Sequence, residues 1–313
     1  MYGDIKLYAG SACPELAQRV ADYIGIRLSR WDIITFPNEN TFIRLNSSVR
    51  GQDVYLIQTH NRPVHNNIME MLIAIDCFKR DSAGRVTVVI PYMSYSQSDK
   101  KDQPRVPITA RLLADMIEVA GADRWVTIDL HAGQIQGFYK IPGDSLTALH
   151  IICNYIRRKN LDATVVTTDL GFAKGGRNYA AALGFSLAFV EKRRMGNEGG
   201  REALTLIGSV AGKDVLIVDD LVDTAGSVAQ AVEIVHAHGA RDVYLAFTHA
   251  VLSPPAIERL STLPLKEIVT TDTLPIAPQD RLPNMTILTV ADLLGEVIMR
   301  SHEGRSVGEL FNE

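Results

Sequence analysis

Apolar runs of strand length alternate with segments of helical periodicity along the whole chain. In residues 67–79, for example, apolar side chains recur every three or four positions and therefore share one face of a helix. The apolar runs predict strands at residues 53–59, 86–90, 125–130, 164–168, 186–190, 215–218 and 243–248. Helices are predicted at residues 67–79, 109–119, 146–158, 173–183 and 225–238, with another in the tail from Asp292. Because the strand runs lack polar alternation, both strand faces should be buried, which favours an α/β fold with mainly parallel sheets flanked by helices.

A short motif occurs twice in the chain. Residues 48–54 read SVRGQDV and residues 209–215 read SVAGKDV. Each copy leads into an apolar strand, a loop, a helix and a further strand, and this shared order favours a duplication. The alternative is chance, since V-x-G-x-D-V is a common approach to a parallel strand. We expect two similar domains, residues 1–143 and 144–313, and the tail helix could pack on either.

Composition narrows the class of protein. The chain has 313 residues, about twice the length of a typical domain, and a net charge of −4, so nucleic acid and anionic membranes are not expected as partners. The sequence contains no run of about 18 apolar residues, so no membrane span is predicted. Cys13, Cys77 and Cys153 form no CxxC or metal spacing and are expected to be free thiols in a reducing compartment. With no basic, apolar leader pattern at the start, the cytoplasm is the expected location.

The strongest chemical signal is VLIVDDLVDTAGS at residues 215–227. A buried strand delivers paired carboxylates to the edge of the sheet where ligands of open α/β folds bind. A loop then enters a helix, whose N–H groups and nearby hydroxyls can hold a phosphate, while the acids can accept hydrogen bonds from sugar hydroxyls. Helix capping would explain one residue of the motif but not three crowded carboxylates. The predicted sugar-phosphate residues are Asp219, Asp220, Asp223, Thr224, Ala225, Gly226 and Ser227.

This motif resembles the phosphoribosyl-diphosphate signature of the type I phosphoribosyltransferase fold. Further segments resemble one branch, the ribose-phosphate diphosphokinases: DLHAGQIQGF at 129–138, TTDLG at 167–171, EKRRMGNEGG at 191–200 and the DKKD of YSQSDKKD at 95–102. The resemblance implies two phosphoribosyltransferase-like domains. The first would serve the nucleotide and oligomer contacts. The second would hold ribose 5-phosphate and a catalytic loop.

The resemblance also implies roles for individual residues. His131 and Asp169 would bind Mg2+, and Lys192 and Arg194 would be catalytic, with Arg194 also contacting ribose 5-phosphate. Taken alone, such a His is more often a satisfied loop residue, Asp169 could be a bare helix cap, and a charge run is usually a solvated face. The ATP-binding residues would be Phe36, Asn38, Glu39, Asn40, Gln97, Ser98, Asp99 and His131.

The chain departs from the family pattern on the nucleotide side. Gln97 and Ser98 stand where the family has Arg and Gln, and residues 38–40 read NEN where it has Asp-Gly-Glu. This departure has three alternative consequences. The enzyme binds ATP more weakly, it accepts another phosphate donor, or other residues supply the contacts to ATP. We expect an active ATP-dependent enzyme, because the catalytic and metal positions are matched.

The implied reaction transfers the β,γ-diphosphate of Mg-ATP to the anomeric hydroxyl of ribose 5-phosphate, for nucleotide biosynthesis. A homo-oligomer, often a hexamer, is also implied. The alternatives are a phosphoribosyltransferase, which uses the same ribose loop, and a catalytically silent regulatory paralogue. Release of AMP from ATP and ribose 5-phosphate without a base separates them. Donor preference and allosteric control by ADP or phosphate stay open.

Overall fold

The computed structural model describes residues 2–194 and 202–310, without the side chains of residues 192–194, 202, 203 and 309. The chain divides into two compact units. The N-terminal unit comprises Met1–Thr147, Thr273–Pro275 and Thr289–Glu313, and the C-terminal unit comprises Ala148–Asp272 and Ile276–Leu288.

The N-terminal unit is built on a five-stranded parallel sheet in the order β1-β4-β5-β6-β7. Its strands are β1 (Ile5–Ala9), β4 (Asp53–Ile57), β5 (Arg85–Ile90), β6 (Arg124–Ile128) and β7 (Gly143–Leu146), and β2 (Trp31–Thr35) and β3 (Thr41–Leu45) form a separate antiparallel hairpin. Its helices include α1 (Pro14–Ile24), α2 (Val64–Arg80) and α3 (Thr109–Ala120). Every residue of β4 is buried, as the unbroken apolar run predicts.

The C-terminal unit has a seven-stranded sheet in the order β10-β9-β8-β11-β12-β13-β14. All its strand pairs are parallel except β9 with β10. The strands are β8 (Ala163–Thr167), β9 (Ser186–Arg194), β10 (Glu202–Ile207), β11 (Asp214–Val222), β12 (Val243–Ala250), β13 (Leu265–Thr271) and β14 (Met285–Leu288). The helices are α4 (Leu149–Arg157), α5 (Ala173–Leu183), α6 (Gly226–Ala237) and α7 (Ala256–Thr262).

The two units repeat one order of elements. Each runs strand, helix, antiparallel hairpin, strand, helix, strand, helix and two further strands, starting at β1 and at β8. The motif copies lead into β4 and β11, which hold matching places between β1 and β5 and between β8 and β12. The predicted α/β fold with two similar domains is confirmed.

Three boundaries differ from the sequence expectation. β11 does not end before its acids but continues to Val222, because β12 pairs with it over most of that length. β9 continues to Arg194, because β10 pairs with it, so the predicted loop at Glu191 begins as strand. β7 pairs with β6, so the N-terminal unit continues past residue 143 to Thr147.

The tail helix α8 (Ala291–Glu303) packs against α1 in the N-terminal unit. The helices approach closely at Gly295, where an added Cβ would lie 2.4 Å from Cδ1 of Tyr23. Cys13 and Cys153 are buried free thiols, and Cys77 is free and partly exposed. Within residues 2–194 and 202–310, no helix is both long and apolar enough to span a bilayer.

Candidate active site

Acidic side chains crowd the carboxyl edge of the C-terminal sheet. β8 ends at Thr167, opposite Val218, so β11 carries Asp219 and Asp220 beyond its neighbour. Asp220 is buried and Asp219 partly buried, while Asp169 lies exposed in the loop after β8. The charges of Asp220 and Asp169 both act on Asp219. The structure thus brings together three of the acids that the sequence singled out.

The protonation of Asp219 reflects this crowding. The Thr168 hydroxyl donates to Asp219 Oδ2 at 2.5 Å, and the Asp220 N–H donates to Asp219 Oδ1 at 3.0 Å. Burial, followed by the charge of Asp220, raises the pKa of the Asp219 carboxyl well above its usual value. A divalent cation or a donating hydroxyl group would relieve the repulsion between these acids.

The turn after β11 leads directly into α6. Ala225 is the N-cap residue and adopts a left-handed backbone with φ of 60°. No side chain in the described part of the chain caps this helix. Its first N–H groups therefore suit an anion. Thr224 and Asp223 are exposed and Ser227 is partly exposed, so the predicted phosphate-binding hydroxyls are not buried in the core.

Gly226 is not required by the packing of the turn. A Cβ built there would meet Arg259 Nη1 at 3.6 Å and Thr224 Oγ1 at 3.8 Å, which are ordinary contacts. Its φ also lies outside the left-handed region, which is occupied by Ala225 instead. A methyl group would therefore fit beside the start of α6 without displacing its neighbours.

The predicted metal ligands have different surroundings. Asp169 Oδ1 accepts a hydrogen bond from the Phe172 N–H at 3.2 Å. Phe172 is itself the N-cap residue of α5, and no described side chain caps this helix, so Asp169 is not the helix cap that the sequence left open as an alternative. His131 is exposed after β6 in the N-terminal unit. Among the described residues, no group of three or more His, Cys, Asp or Glu side chains could hold a metal ion.

The predicted adenine-side residues lie at the tip of the β2–β3 hairpin. Phe36, Asn38, Glu39 and Asn40 are all exposed. The tip is closed by the Phe36 N–H, which donates to the Asn40 carbonyl at 2.9 Å, and by Glu39, which has φ of 66°.

A cavity of about 530 Å³ lies beside the other predicted nucleotide residues. It is lined by Tyr92, Tyr95, Ser96, Gln97, Ser98, Lys100, Asp102, Val106 and Pro107. The Ser98 hydroxyl accepts from the Thr109 N–H at the start of α3 (3.3 Å), and Gln134 donates to Asp99. Gln97 is exposed, whereas Ser98 and Asp99 already have partners within the protein.

Comparison with known proteins identifies the family. Residues 5–121 match the N-terminal domain of ribose phosphate pyrophosphokinase, and residues 188–312 match the phosphoribosyl synthetase-associated domain. Ribose-phosphate pyrophosphokinase of Caldanaerobacter subterraneus subsp. tengcongensis is 44% identical over 98% of each chain. The chain belongs to the ribose-phosphate pyrophosphokinase family of enzymes.

Other members of the ribose-phosphate pyrophosphokinase family are similar to this chain in sequence and in structure. The chloroplastic ribose-phosphate pyrophosphokinase 1 of Arabidopsis thaliana is 44% identical, over 98% of this chain and 77% of its own. Phosphoribosylpyrophosphate synthetase from Mycobacterium smegmatis superposes with a TM-score of 0.92 at 39% identity, over 96% of this chain and 100% of its own. The family resemblance read from the motifs is confirmed.

Some of the predicted side chains fall outside the described structure. The side chains of Lys192 and Arg194 are among them, although their backbone belongs to β9. Two contacts had not been predicted. The Thr168 hydroxyl bonds Asp219, and Arg259 Nη1 donates to the Thr224 carbonyl at 2.9 Å. The only sequence signal for either residue is that it follows a parallel strand next to β11.

Proposed function

We propose that this chain transfers the β,γ-diphosphate of Mg-ATP to the anomeric hydroxyl of ribose 5-phosphate, giving 5-phosphoribosyl 1-diphosphate and AMP for nucleotide biosynthesis. The observation that carries the proposal is that the start of α6, which no described side chain caps, adjoins the crowded acids of β11. One end of that arrangement suits a phosphate and the other suits hydroxyl groups, which are the two ends of a phosphorylated pentose.

The ribose 5-phosphate site would use both parts. The N–H groups and hydroxyls of residues 224–227 would bind the 5-phosphate, with Asp223 beside them. Asp219 and Asp220 would accept hydrogen bonds from the sugar hydroxyls, which also relieves the repulsion that raises the pKa of Asp219. Holding the sugar at both ends would orient its anomeric oxygen for attack.

The acidic residues of this site suit Mg2+ that is bound jointly by the protein and the substrate phosphates, and they do not suit a metal ion bound by protein side chains alone. Mg2+ is commonly bound by one or two carboxylates together with substrate phosphates and water, so a cluster of three protein ligands is not needed. Asp169 supplies an exposed carboxylate near Asp219, and His131 stays a predicted ligand. When bound, Mg2+ would neutralise charge on the diphosphate oxygens.

In the transfer, the oxygen of the anomeric hydroxyl would attack the β-phosphorus in line and release its proton to water. The bond from that phosphorus to the oxygen bridging to the α-phosphorus would break, and AMP would leave. Lys192 and Arg194 are the proposed catalytic cations that stabilise charge on these oxygens.

We expect Lys192→Ala to lower kcat by about a hundredfold or more with little change in substrate affinity. An unchanged kcat would remove Lys192 from the mechanism.

ATP would use the N-terminal unit. The cavity beside Tyr95, Gln97 and Lys100 has aromatic, polar and cationic groups suited to part of a nucleotide. If Gln97 marks a lost phosphate contact, Gln97→Arg should tighten ATP binding, and no gain would mean that another group already fills the role. A panel of ATP, GTP, CTP and dATP with detection of the monophosphate would define the donor.

The decisive experiment supplies ATP, Mg2+ and ribose 5-phosphate with no base and measures AMP and 5-phosphoribosyl 1-diphosphate. Stoichiometric release of both supports the synthetase, whereas no release would contradict it.

Gly226→Ala is the matched variant, because its Cβ has room in the protein but would occupy the proposed phosphate space. We expect unchanged thermal stability and a KM for ribose 5-phosphate raised by roughly tenfold or more.

We also propose a homo-oligomer, with a hexamer as the expected state. Leu112, Met116 and Val119 are exposed on one face of α3, which supports a subunit contact there. Light scattering after gel filtration would measure the mass in solution, and a monomer would contradict the proposal.

The cytoplasm stays the predicted location, in keeping with the three free thiols.

A further inference from the structure

The short helix α7 follows β12 and lies beside the turn that leads into α6. The chain between β12 and α7 is attached to β11, because the Leu252 N–H donates to the carbonyl of Val222 at 3.0 Å. Ala256 and Leu260 are buried and anchor α7 to the core of the C-terminal unit. The position of α7 is therefore set by the strand that carries Asp219.

Arg259 extends from α7 to the turn. Its Nη1 donates to the Thr224 carbonyl at 2.9 Å, and the same atom is the nearest neighbour of a Cβ built on Gly226, at 3.6 Å. The side chain is exposed overall, so its charge faces the solvent beside the proposed 5-phosphate.

The bond to Thr224 orients the next peptide group. A trans peptide is planar, with its C=O and N–H pointing in opposite directions. Because the Thr224 carbonyl points to Arg259, the Ala225 N–H points away from it. Ala225 also holds a left-handed backbone, which costs a non-glycine residue about 1–2 kcal/mol and needs support from outside the turn.

The charge of Arg259 has no carboxylate partner among the described residues, where its side chain makes only the bond to Thr224. A guanidinium has five N–H donors, so most of its donating capacity is available. The neighbouring acids of β11 would otherwise disfavour a phosphate dianion. A cation beside the turn offsets that repulsion.

We propose that Arg259 is a positioning residue for ribose 5-phosphate. It holds the Thr224–Ala225 peptide in the orientation that the 5-phosphate needs, and it adds positive charge at that end of the site. This inference rests on the proposed function, because it concerns the same phosphate turn.

The test compares Arg259→Ala and Arg259→Lys with Glu258→Ala, an exposed neighbour on the same helix. Loss of a charge-assisted bond predicts that Arg259→Ala raises the KM for ribose 5-phosphate by roughly 10- to 100-fold. The kcat and the KM for ATP should stay within about threefold, as for loss of uniform binding. Arg259→Lys should recover part of the affinity, and Glu258→Ala should match the wild type.

Thermal unfolding with ribose 5-phosphate alone gives a readout independent of turnover. The stabilisation by the sugar phosphate should shrink in Arg259→Ala, while the melting temperature without ligand stays unchanged. An unchanged KM for ribose 5-phosphate, an equal rise in the KM for ATP, or an equal effect of Glu258→Ala would each overturn the inference. A wild type that releases no AMP would instead refute the proposed function.

Discussion

Gln58 and Asp219 hold equivalent positions after the two motif copies, yet their surroundings differ. The Gln58 amide donates to Glu70 at 2.9 Å, and its Oε1 accepts from the Ala12 N–H at 3.1 Å. Asp219 instead faces Asp220 and Asp169, and its pKa is raised. A buried amide with partners stabilises a structure, whereas crowded carboxylates weaken it unless a ligand compensates. This contrast supports a sugar-phosphate site after the motif copy of the C-terminal unit and not after that of the N-terminal unit.

Asp219→Asn should therefore stabilise the ligand-free protein at neutral pH. The raised pKa means that the folded state disfavours the ionised Asp219, so its stabilising effect is lost as pH rises through the folded-state pKa. Asn removes that charge, its Oδ1 can still accept from the Asp220 N–H, and its Nδ2 can donate to the Thr168 hydroxyl oxygen. We expect a higher melting temperature at pH 7.5 and a large loss of turnover. A lower melting temperature with both bonds intact would contradict this.

His60 predicts a pH dependence of folding. It is fully buried beside Ser94, with 3.1 Å between Nδ1 and the Ser94 hydroxyl, and burial lowers its pKa to about 3. Since the unfolded-state pKa is about 6.5, the free energy of unfolding should fall by about 1.4 kcal/mol per pH unit from this group below that pH. His60→Asn should show a shallower loss between pH 6.5 and 4.5 in urea titrations.

The control for His60 is His65→Asn, because His65 is exposed. This variant controls for replacing a histidine by asparagine at an exposed position of the same unit. Equal pH profiles for His60→Asn and His65→Asn would show that burial of His60 does not contribute to acid sensitivity.

At the scale of elements, backbone pairing depends on side chains that sequence periodicity does not reveal. β7 pairs with β6 through Gly143, opposite Trp125. A Cβ at Gly143 would lie 2.0 Å from the Trp125 indole, so only glycine lets the strands meet. The sequence analysis placed the domain boundary at residue 143, where this edge strand begins.

Gly143→Ala should be destabilising. Trp125 is buried and cannot move without repacking its neighbours, so we expect a loss of about 1–3 kcal/mol or more in the free energy of unfolding. Gly133→Ala is the matched control, because its added Cβ would meet no other part of the described chain within 4 Å, its immediate neighbours and local helical backbone aside. Equal urea midpoints for the two variants would contradict the packing argument.

At the scale of the whole molecule, the tail is held by a buried charge network within the N-terminal unit. Asp53 is fully buried and accepts from Arg85 at 2.8 and 2.6 Å, from the Tyr55 hydroxyl, and from His302 Nδ1 of α8 at 2.9 Å. Arg85 also donates to the Ser301 carbonyl at 3.1 Å. Residues of β4 and β5 thus bind the end of α8.

Asp53→Ala should leave a largely buried cation unpaired and cost about 3–5 kcal/mol. Asp76→Ala removes an exposed partner of Arg80 and should cost no more than about 0.5 kcal/mol. Chemical denaturation followed by circular dichroism measures both. A loss for Asp53→Ala as small as that of the control would show that the network does not hold the tail.

The sequence by itself determined the α/β alternation, the duplication, the family and the acid-and-turn motif, because these depend on residues near one another in the chain. The tertiary structure decided how far β9 and β11 run, which unit binds α8, and which side chains adjoin the acids and the turn. Apart from β10, the hairpin partner of β9, the partners behind these features are distant in sequence: β12 for β11, α1 for α8, and Arg259 for Thr224. Local periodicity carries no information about such partners, since pairing and packing are settled only when the sheets assemble.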